Sequence, residues 1–278
     1  VDWENPENNT FHLALEVTCQ NGGDEFRPDI VIFINGLPLS YIEVKQPNAI
    51  RDGKTAIQSE QSRTAVRFEN RRFRRFNNIT QLISFSDNLP YISGQGQQKQ
   101  GSFYCSNAFS KTKFNAFKEE REEELIYSIR SLGEEEIDAV LKDVNRFALK
   151  SQPEFKTNQD PSTPCNTFIS SLYQKERLLF LLRYGLAYVE ERSKDGTIQL
   201  QKHVMRYPQF FATKAIEDAI GKGVKKGVIW HTQGSGKTAL SYFNIRYLTN
   251  YFSKQKIVPQ FYFVVDRLDL ADQATREF

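Results

Sequence analysis

The chain has 278 residues, of which 39% are hydrophobic and 26% are charged, and its formal net charge is +3 at pH 7. This length allows two globular domains with a substantial core, and the small net charge does not by itself indicate a nucleic-acid partner. The three cysteines are widely spaced and form neither a disulfide framework nor a metal knuckle, which favours a reducing cytoplasmic location. We expect no membrane association, because no apolar run approaches the roughly 20 residues of a membrane span and no signal peptide opens the chain.

Three strands are predicted between residues 11 and 45, and another over 79–85. Alternating apolar residues predict a half-buried strand over 11–19. Two more strands, over 29–34 and 39–45, flank an Asn-Gly dipeptide, which is a strong hairpin signal. A long helix is predicted to begin near Thr55.

The polar segment 151–167 contains three prolines and lacks periodicity, which predicts a linker. A helix with an apolar stripe over 172–189 follows it, and then a strand–loop–helix–strand series. We therefore predict two domains: a β-rich domain with helices over 1–165 and an α/β domain over 166–278.

The predicted hairpin carries three ionisable residues, Asp29, Glu43 and Lys45. Glu43 and Lys45 project from the same face, because side chains alternate along a strand. A strict two-residue loop would place Asp29 opposite Ile42 and on the wrong face, whereas a three-residue loop or one β-bulge would place it opposite Glu43. We predict such an odd loop or a bulge.

Two buried carboxylates at this distance repel each other, and a divalent cation removes the conflict. Mg²⁺ suits hard oxygen ligands and commonly binds through one or two carboxylates, here Asp29 and Glu43. Lys45 could then orient the attacking water or stabilise the developing charge, giving all three residues a catalytic role. The alternative is a structural ion pair of Lys45 with one of the carboxylates.

The pattern P-D…E-x-K on consecutive strands resembles the PD-(D/E)xK nuclease family over roughly residues 10–90. Nucleases of this type often carry a helix glutamine after the lysine, in a QxxxY pattern. The resemblance implies a catalytic role for Gln58, with Gln61 as a competing choice, because Ser62 stands where the pattern has tyrosine.

Arginines recur every four residues in the segment 63–76, at Arg63, Arg67, Arg71 and Arg75. On a helix they would form one continuous positive face. Such a face suits contacts to the backbone phosphates of double-stranded DNA. The alternative is a solvated face that pairs with the acidic segment 118–136.

The sequence GVIWHTQGSGKTALSYF at 227–243 places an apolar strand before a glycine-rich loop and a helix after it. Loop amides and the helix N-terminus can surround the phosphates of ATP, Lys237 would reach the β- and γ-phosphates, and the Thr238 hydroxyl would bind Mg²⁺. The pattern departs from GxxxxGK[ST] at its first position, which is His231. The predicted phosphate-binding residues are Gly234, Ser235, Gly236, Lys237 and Thr238.

Two neighbouring segments resemble motifs of superfamily 2 helicases. Gln209 matches the glutamine that contacts adenine. The segment 261–266 resembles the strand that bears motif Ia rather than Walker B, because Arg267 follows Asp266 where a helicase would have glutamate. We therefore expect the sequence to stop before Walker B and to lack ATPase activity on its own, and the resemblance assigns Arg267 to translocating DNA.

A nuclease of this type followed by a superfamily 2 motor resembles the R subunit of type I restriction enzymes. The stretches that carry the resemblance are NPENNTF, RPDIVIFINGLPLSYIEVKQP, IWHTQGSGKT and FVVDRLDLADQ, in the expected order. The implied fold is α/β, a restriction-endonuclease-like mixed sheet with helices followed by an incomplete RecA-like parallel α/β domain.

The same resemblance implies ATP-driven translocation of duplex DNA and Mg²⁺-dependent cleavage of unmethylated foreign DNA, together with methylation and specificity subunits. Two alternatives stay open at this point. One is a standalone helicase–nuclease of DNA repair or phage defence. The other is an inert DNA-binding clamp whose acidic residues are structural.

Overall fold

The structure is a computed structural model that describes residues 1–92, 99–107, 112–121, 123, 125, 131–192, 196–232 and 234–264. The chain divides into two compact units, Val1–Leu179 and Phe180–Phe278. The boundary lies C-terminal to the position 165 expected from the sequence.

The first unit is built on a mixed β-sheet. Its strands are β1 (Phe11–Leu15), β2 (Cys19–Asn21), β3 (Asp24–Phe26), β4 (Ile30–Ile34), β5 (Leu37–Val44), β6 (Ile50–Arg51), β7 (Lys54–Thr55), β8 (Leu82–Ser86), β9 (Ser102–Cys105) and β10 (Asn115–Ala116). Six of them form one sheet in the order β1-β4-β5-β8-β9-β10. Strands β5 and β8 pair in parallel, and the other neighbours in this sheet pair antiparallel. The predicted mixed sheet with helices is confirmed.

The helices of this unit for which the structure describes the full range are α1 (Ala56–Glu69), α2 (Arg74–Ile79), α3 (Glu134–Asp143), α4 (Pro153–Asn158) and α5 (Pro164–Leu172), with 3-10 turns at Pro6–Asn8, Arg71–Phe73 and Phe147–Ser151. Helix α1 begins where predicted, because Thr55 and Gln58 form a reciprocal capping box. The continuous helix needed for an arginine stripe over 63–76 is not formed. The backbone of Asn70 is extended, and its side chain accepts a hydrogen bond from the Arg72 amide, which starts a new turn.

Helix α1 connects β5 to β8 and packs on the sheet through Ile57 and Phe68. Phe68 joins a buried cluster with Val31, Tyr41, Ile83 and Cys105, and Ile57 joins Phe85 and Phe103. Burying each of these large apolar side chains contributes about 1.5–3 kcal/mol, so the helix is held firmly with one face against the sheet. The polar residues on that same face are therefore carried into the interior.

The segment predicted as a linker contains two short helices, α4 and α5, instead of irregular chain. Pro153 and Pro164 stand in the first turn of these helices. The backbone N–H that proline lacks would have no intrahelical partner at this position, so no hydrogen bond is lost. The amide of Cys165 donates to Asn88, and the Phe168 ring contacts Phe117. Helix α5 is thus part of the first unit.

Helix α6 (Lys175–Tyr184) crosses the boundary, and the described elements that follow are β11 (Leu186–Arg192), β12 (Ile198–Val204), α7 (Tyr207–Gly221) and α8 (Lys237–Ser253). The helix predicted to reach 189 ends at Tyr184, and the chain enters an antiparallel hairpin of β11 and β12. Gly185 fits this junction because a Cβ there would lie 2.8 Å from the Leu181 carbonyl oxygen. The rings of Phe180, Phe210 and Tyr247 pack edge to face in the core of this unit.

The parallel strands of the predicted RecA-like domain are not formed in the described part of the second unit. Residues 227–230 and 261–264 have no regular secondary structure. Val228 and Trp230 are each 91% exposed, although their sequence is that of a buried strand. The described residues supply no neighbouring strand for either segment, and a buried parallel strand requires such neighbours. No helix among the described residues is long and apolar enough to cross a membrane.

Candidate active site and phosphate loop

The β4–β5 hairpin brings the predicted acidic residues together. Asn35 and Gly36 both have positive φ, 51° and 81°, and form a two-residue turn that pairs Ile34 with Leu37. The register then shifts, so that Ile32 pairs with Ser40 and Ile30 with Ile42. A β-bulge of this kind places Asp29 opposite Glu43. The prediction of an odd loop or a bulge is confirmed. The loop has two residues, and a bulge in β5 shifts the register.

Asp29, Glu43 and Lys45 lie within one group of contacts. The Lys45 Nζ atom is 2.6 Å from Glu43 Oε2 and 3.9 Å from Asp29 Oδ2. Asp29 Oδ2 also accepts a 2.7 Å hydrogen bond from the Val44 amide, which fixes the carboxylate at the end of β5. The Glu43 side chain is 3% exposed and that of Asp29 is 42% exposed, so the group opens to solvent on the Asp29 side.

Two further residues, Glu60 and Arg67 of α1, complete this group and were not predicted as its members. Glu60 Oε2 lies 3.2 Å from Lys45 Nζ, and Arg67 Nη1 lies 3.0 Å from Glu60 Oε1 and 3.2 Å from Glu43 Oε1. The sequence signal was their spacing, since positions 57, 60, 64, 67 and 68 share the helix face that packs on the sheet. We call Asp29, Glu43, Lys45, Glu60 and Arg67 the charge cluster.

The charge cluster holds three carboxylates and two cations, so its formal charge is −1. Burial and the neighbouring Glu60 carboxylate raise the pKa of Glu43, while Lys45 and Arg67 act in the opposite direction. The described residues contain no preformed group of three or more His, Cys, Asp or Glu residues arranged around a metal position. The oxygen donors of Asp29 and Glu43 nevertheless fit Mg²⁺, which often uses one or two protein carboxylates and retains waters.

Gln58, the glutamine predicted to be catalytic, takes part in the N-terminal cap of α1. Gln58 Oε1 accepts a hydrogen bond from the Thr55 amide as part of the capping box. Gln61, the competing choice, has a buried Nε2 atom without a hydrogen-bond partner among the described residues. A catalytic role for Gln58 through its Oε1 atom would require this capping interaction to break.

The four arginines predicted to contact DNA occupy different environments. Arg67 is buried in the charge cluster, so its guanidinium is not available on the surface. Arg63 is 56% exposed and lies 3.3 Å from Glu60. Arg71 and Arg75 are exposed on the turn and helix that follow α1. Arg267 lies outside the described residues.

The predicted phosphate-binding loop precedes α8, and the two glycines that flank Ser235, Gly234 and Gly236, have φ of 76° and 85°. Residues other than glycine are strained at such angles. Ser235 is bonded to the Thr232 carbonyl through both its amide and its hydroxyl. Lys237 Nζ donates to the His231 carbonyl at 3.1 Å, and Thr238 follows it in the first turn of α8.

Gln209 lies directly against this loop. Its side chain is buried, its Oε1 accepts from the Arg206 amide at 2.8 Å, and its Nε2 donates to the Gly236 carbonyl at 2.9 Å. A Cβ on Gly236 would lie 2.5 Å from Gln209 Nε2. The structure therefore brings together the two motifs of the second unit that were predicted to bind nucleotide.

Two protein families match parts of the chain. Residues 1–123 match the family described as the type I restriction enzyme R protein N terminus, and residues 208–278 match the SWI2/SNF2 ATPase family. No solved structure matches the chain. Curated relatives place the chain in the class of restriction enzyme subunits.

The chain is 30% identical over its full length to the type I restriction enzyme MjaVIIP endonuclease subunit of Methanocaldococcus jannaschii, of which it covers 22%. It is 26% identical, again over its full length, to the type I restriction enzyme HindI endonuclease subunit of Haemophilus influenzae, of which it also covers 22%. The chain thus spans less than a quarter of the length of these relatives. It belongs to the family of type I restriction enzyme R proteins, whose N-terminal region it carries.

Proposed function

We propose that the charge cluster is a nuclease centre that cleaves DNA with Mg²⁺, and that the phosphate loop binds ATP for DNA translocation. The observation that carries the first part is the bulge in β5, which sets Asp29 opposite Glu43 with Lys45 beside both. A hairpin that is stabilised only by the pairing of its two strands would not require two carboxylates opposite each other.

In this proposal Asp29 and Glu43 would hold the cation, and the chemistry it would supply is polarisation of the scissile phosphate and a lower pKa for a bound water. Asp29 is oriented for this by the Val44 amide, which holds one of its oxygens. Lys45 carries its ammonium group at the same place, where it can orient the attacking water and stabilise charge on the phosphate. Exposed arginines contact the DNA backbone without reading sequence.

The second unit supports the proposed motor. Lys237 and Thr238 stand at the N-terminus of α8, where backbone amides and the helix dipole favour phosphate. Gln209, seated on Gly236, would contact adenine. By analogy with the type I enzymes, the partners would be methylation and specificity subunits, and the substrate would be unmethylated duplex DNA.

The test is a calorimetric titration of the chain with Mn²⁺ and a short DNA duplex, compared with Glu43→Gln. We expect binding by the native chain and its loss in the variant, because the amide keeps the shape of the side chain and removes its charge. Cleavage of a supercoiled plasmid by the R protein assembled with its partners should fall in parallel. Binding that is equal in both proteins would contradict the proposed nuclease centre.

The inert clamp is the second candidate, and one observation favours it. Lys45 and Arg67 already neutralise two of the three carboxylates without any metal. A clamp of this kind would bind duplex DNA but bind no divalent cation, so the same titration separates the two functions.

A further inference from the structure

Glu60 is the carboxylate of the charge cluster that the proposed mechanism does not use. Its side chain is fully buried, yet both oxygens are engaged. Oε1 accepts from Arg67 at 3.0 Å and from the Thr64 hydroxyl at 3.3 Å, and Oε2 contacts Lys45 at 3.2 Å and Arg63 at 3.3 Å. Burying a carboxylate without partners would cost a large free energy, so the surrounding cations are what stabilise the Glu60 side chain in the interior.

Arg67 is also held in the interior by several contacts. Its side chain is 10% exposed, and one nitrogen, Nη1, reaches both Glu43 and Glu60. Its guanidinium carbon lies 5.0 Å from the centre of the Phe26 ring, which packs against the cation. Arg67 is therefore a permanent member of the interior and not a mobile surface cation.

Each cation of the cluster contacts both glutamates. Lys45 Nζ lies 2.6 Å from Glu43 and 3.2 Å from Glu60, and Arg67 Nη1 lies 3.2 Å from Glu43 and 3.0 Å from Glu60. Two cations are thus shared between two carboxylates. If Glu60 lost its charge, Glu43 would be the one charged glutamate left to pair with both cations, and a divalent cation would have to compete with them there.

We propose that Glu60 is a positioning residue that shares Lys45 and Arg67 with Glu43, so that Glu43 stays available to a divalent cation. This inference rests on the proposed metal centre. Glu60 acts through its neighbours, since its oxygen contacts among the described residues are to the side chains of Arg63, Thr64, Arg67 and Lys45.

The experiment compares Mn²⁺ binding by calorimetry in the whole chain, in Glu60→Gln and in Glu60→Gln combined with Arg67→Met. We expect the single variant to bind Mn²⁺ about tenfold more weakly, since coupling energies between neighbouring charges are of that order. Removing Arg67 as well takes away the excess cation and should restore most of the affinity. Glu69→Gln, an exposed change on the same helix, is the matched control and should bind as the native chain does.

The inference is overturned if Glu60→Gln binds Mn²⁺ like the native chain, or if the double variant binds no more tightly than the single one. If the native chain binds no Mn²⁺, the proposed metal centre fails, and charge sharing is then decided by thermal unfolding of the same variants. Sharing requires that Glu60→Gln lowers the unfolding midpoint and that the added Arg67→Met recovers part of the loss. A further fall in the double variant would reject it.

Discussion

The Asp29 carboxylate accepts a 2.7 Å hydrogen bond from the amide of Val44, the residue that stands between Glu43 and Lys45. The bond crosses the end of the hairpin. This bond ties the acidic residue of one strand to the stretch of the next strand that carries the other two predicted catalytic side chains. The geometry of the candidate centre is therefore linked to the backbone and depends on the register of the two strands.

Asp29→Asn should separate the charge of this residue from its structural role. The amide oxygen can still accept from Val44, and the side chain is 42% exposed, so the unfolding free energy should change by less than about 1 kcal/mol. Mn²⁺ affinity should fall by about tenfold or more, because one ligand charge is lost. Urea unfolding and calorimetry of the same preparation measure both quantities, and retained affinity would argue against Asp29 as a ligand.

Gly36→Ala should weaken the hairpin turn. Gly36 has φ of 81°, and placing a Cβ there costs about 1–2 kcal/mol because it crowds the backbone. Gly36→Asn is the matched variant, since asparagine tolerates a left-handed conformation, and it should lose clearly less stability. Urea denaturation of the two variants decides this, and equal losses would show that the turn conformation does not limit stability.

Replacing Arg71 and Arg75 by alanine should weaken DNA binding without changing the charge cluster. Both are exposed, unlike Arg67, so the substitutions should remove contacts to the DNA backbone phosphates and leave the interior unchanged. The slope of log affinity against log salt should decrease by about 0.9 for each phosphate that an arginine no longer neutralises. Fluorescence anisotropy with a labelled duplex at several salt concentrations measures this, with the exposed Arg146→Ala as control. An unchanged slope would remove these two residues from the DNA interface.

Lys237→Met should reduce ATP binding by about tenfold or more, because the loop amides remain but the cation proposed to reach the phosphates is removed. The native Lys237 donates to the His231 carbonyl, a bond that ATP must replace. Titration of a fluorescent ATP analogue measures the affinity. The exposed Lys226→Met nearby carries the same change in charge and should bind as the native chain does.

The second unit should show a pH dependence that originates at Lys202. Burial lowers the pKa of this residue to about 8, because the charged form is disfavoured in the interior. Between that value and the ordinary 10.5, the unfolded chain holds the proton and the folded chain does not, so the unfolding free energy rises with pH in this window.

Lys202→Met should remove this rise. Denaturant unfolding at several pH values between 7 and 10.5, for both proteins, provides the comparison. A rise of the same size in the variant would assign the pH dependence to another group.

Local sequence was sufficient for the elements whose signals are short-range. The Asn-Gly turn, the capping box at Thr55 and the need for a register shift between Asp29 and Glu43 all follow from neighbouring residues and from strand alternation. The break at Asn70 is also local, but the spacing of the arginines concealed it.

The sequence by itself determined the hairpin, the pairing of its acidic residues and the order of the nuclease and phosphate-loop motifs. Tertiary structure alone decided that the shift would be a bulge in β5, and that Glu60 and Arg67 would be charged members of the interior. The physical reason is that Ile57 and Phe68 anchor α1 to the sheet, and the residues on the same face of the helix are buried whatever their charge. The segments 227–230 and 261–264 show the converse, since the part of the chain that the structure describes offers their apolar pattern no neighbouring strand to pair with.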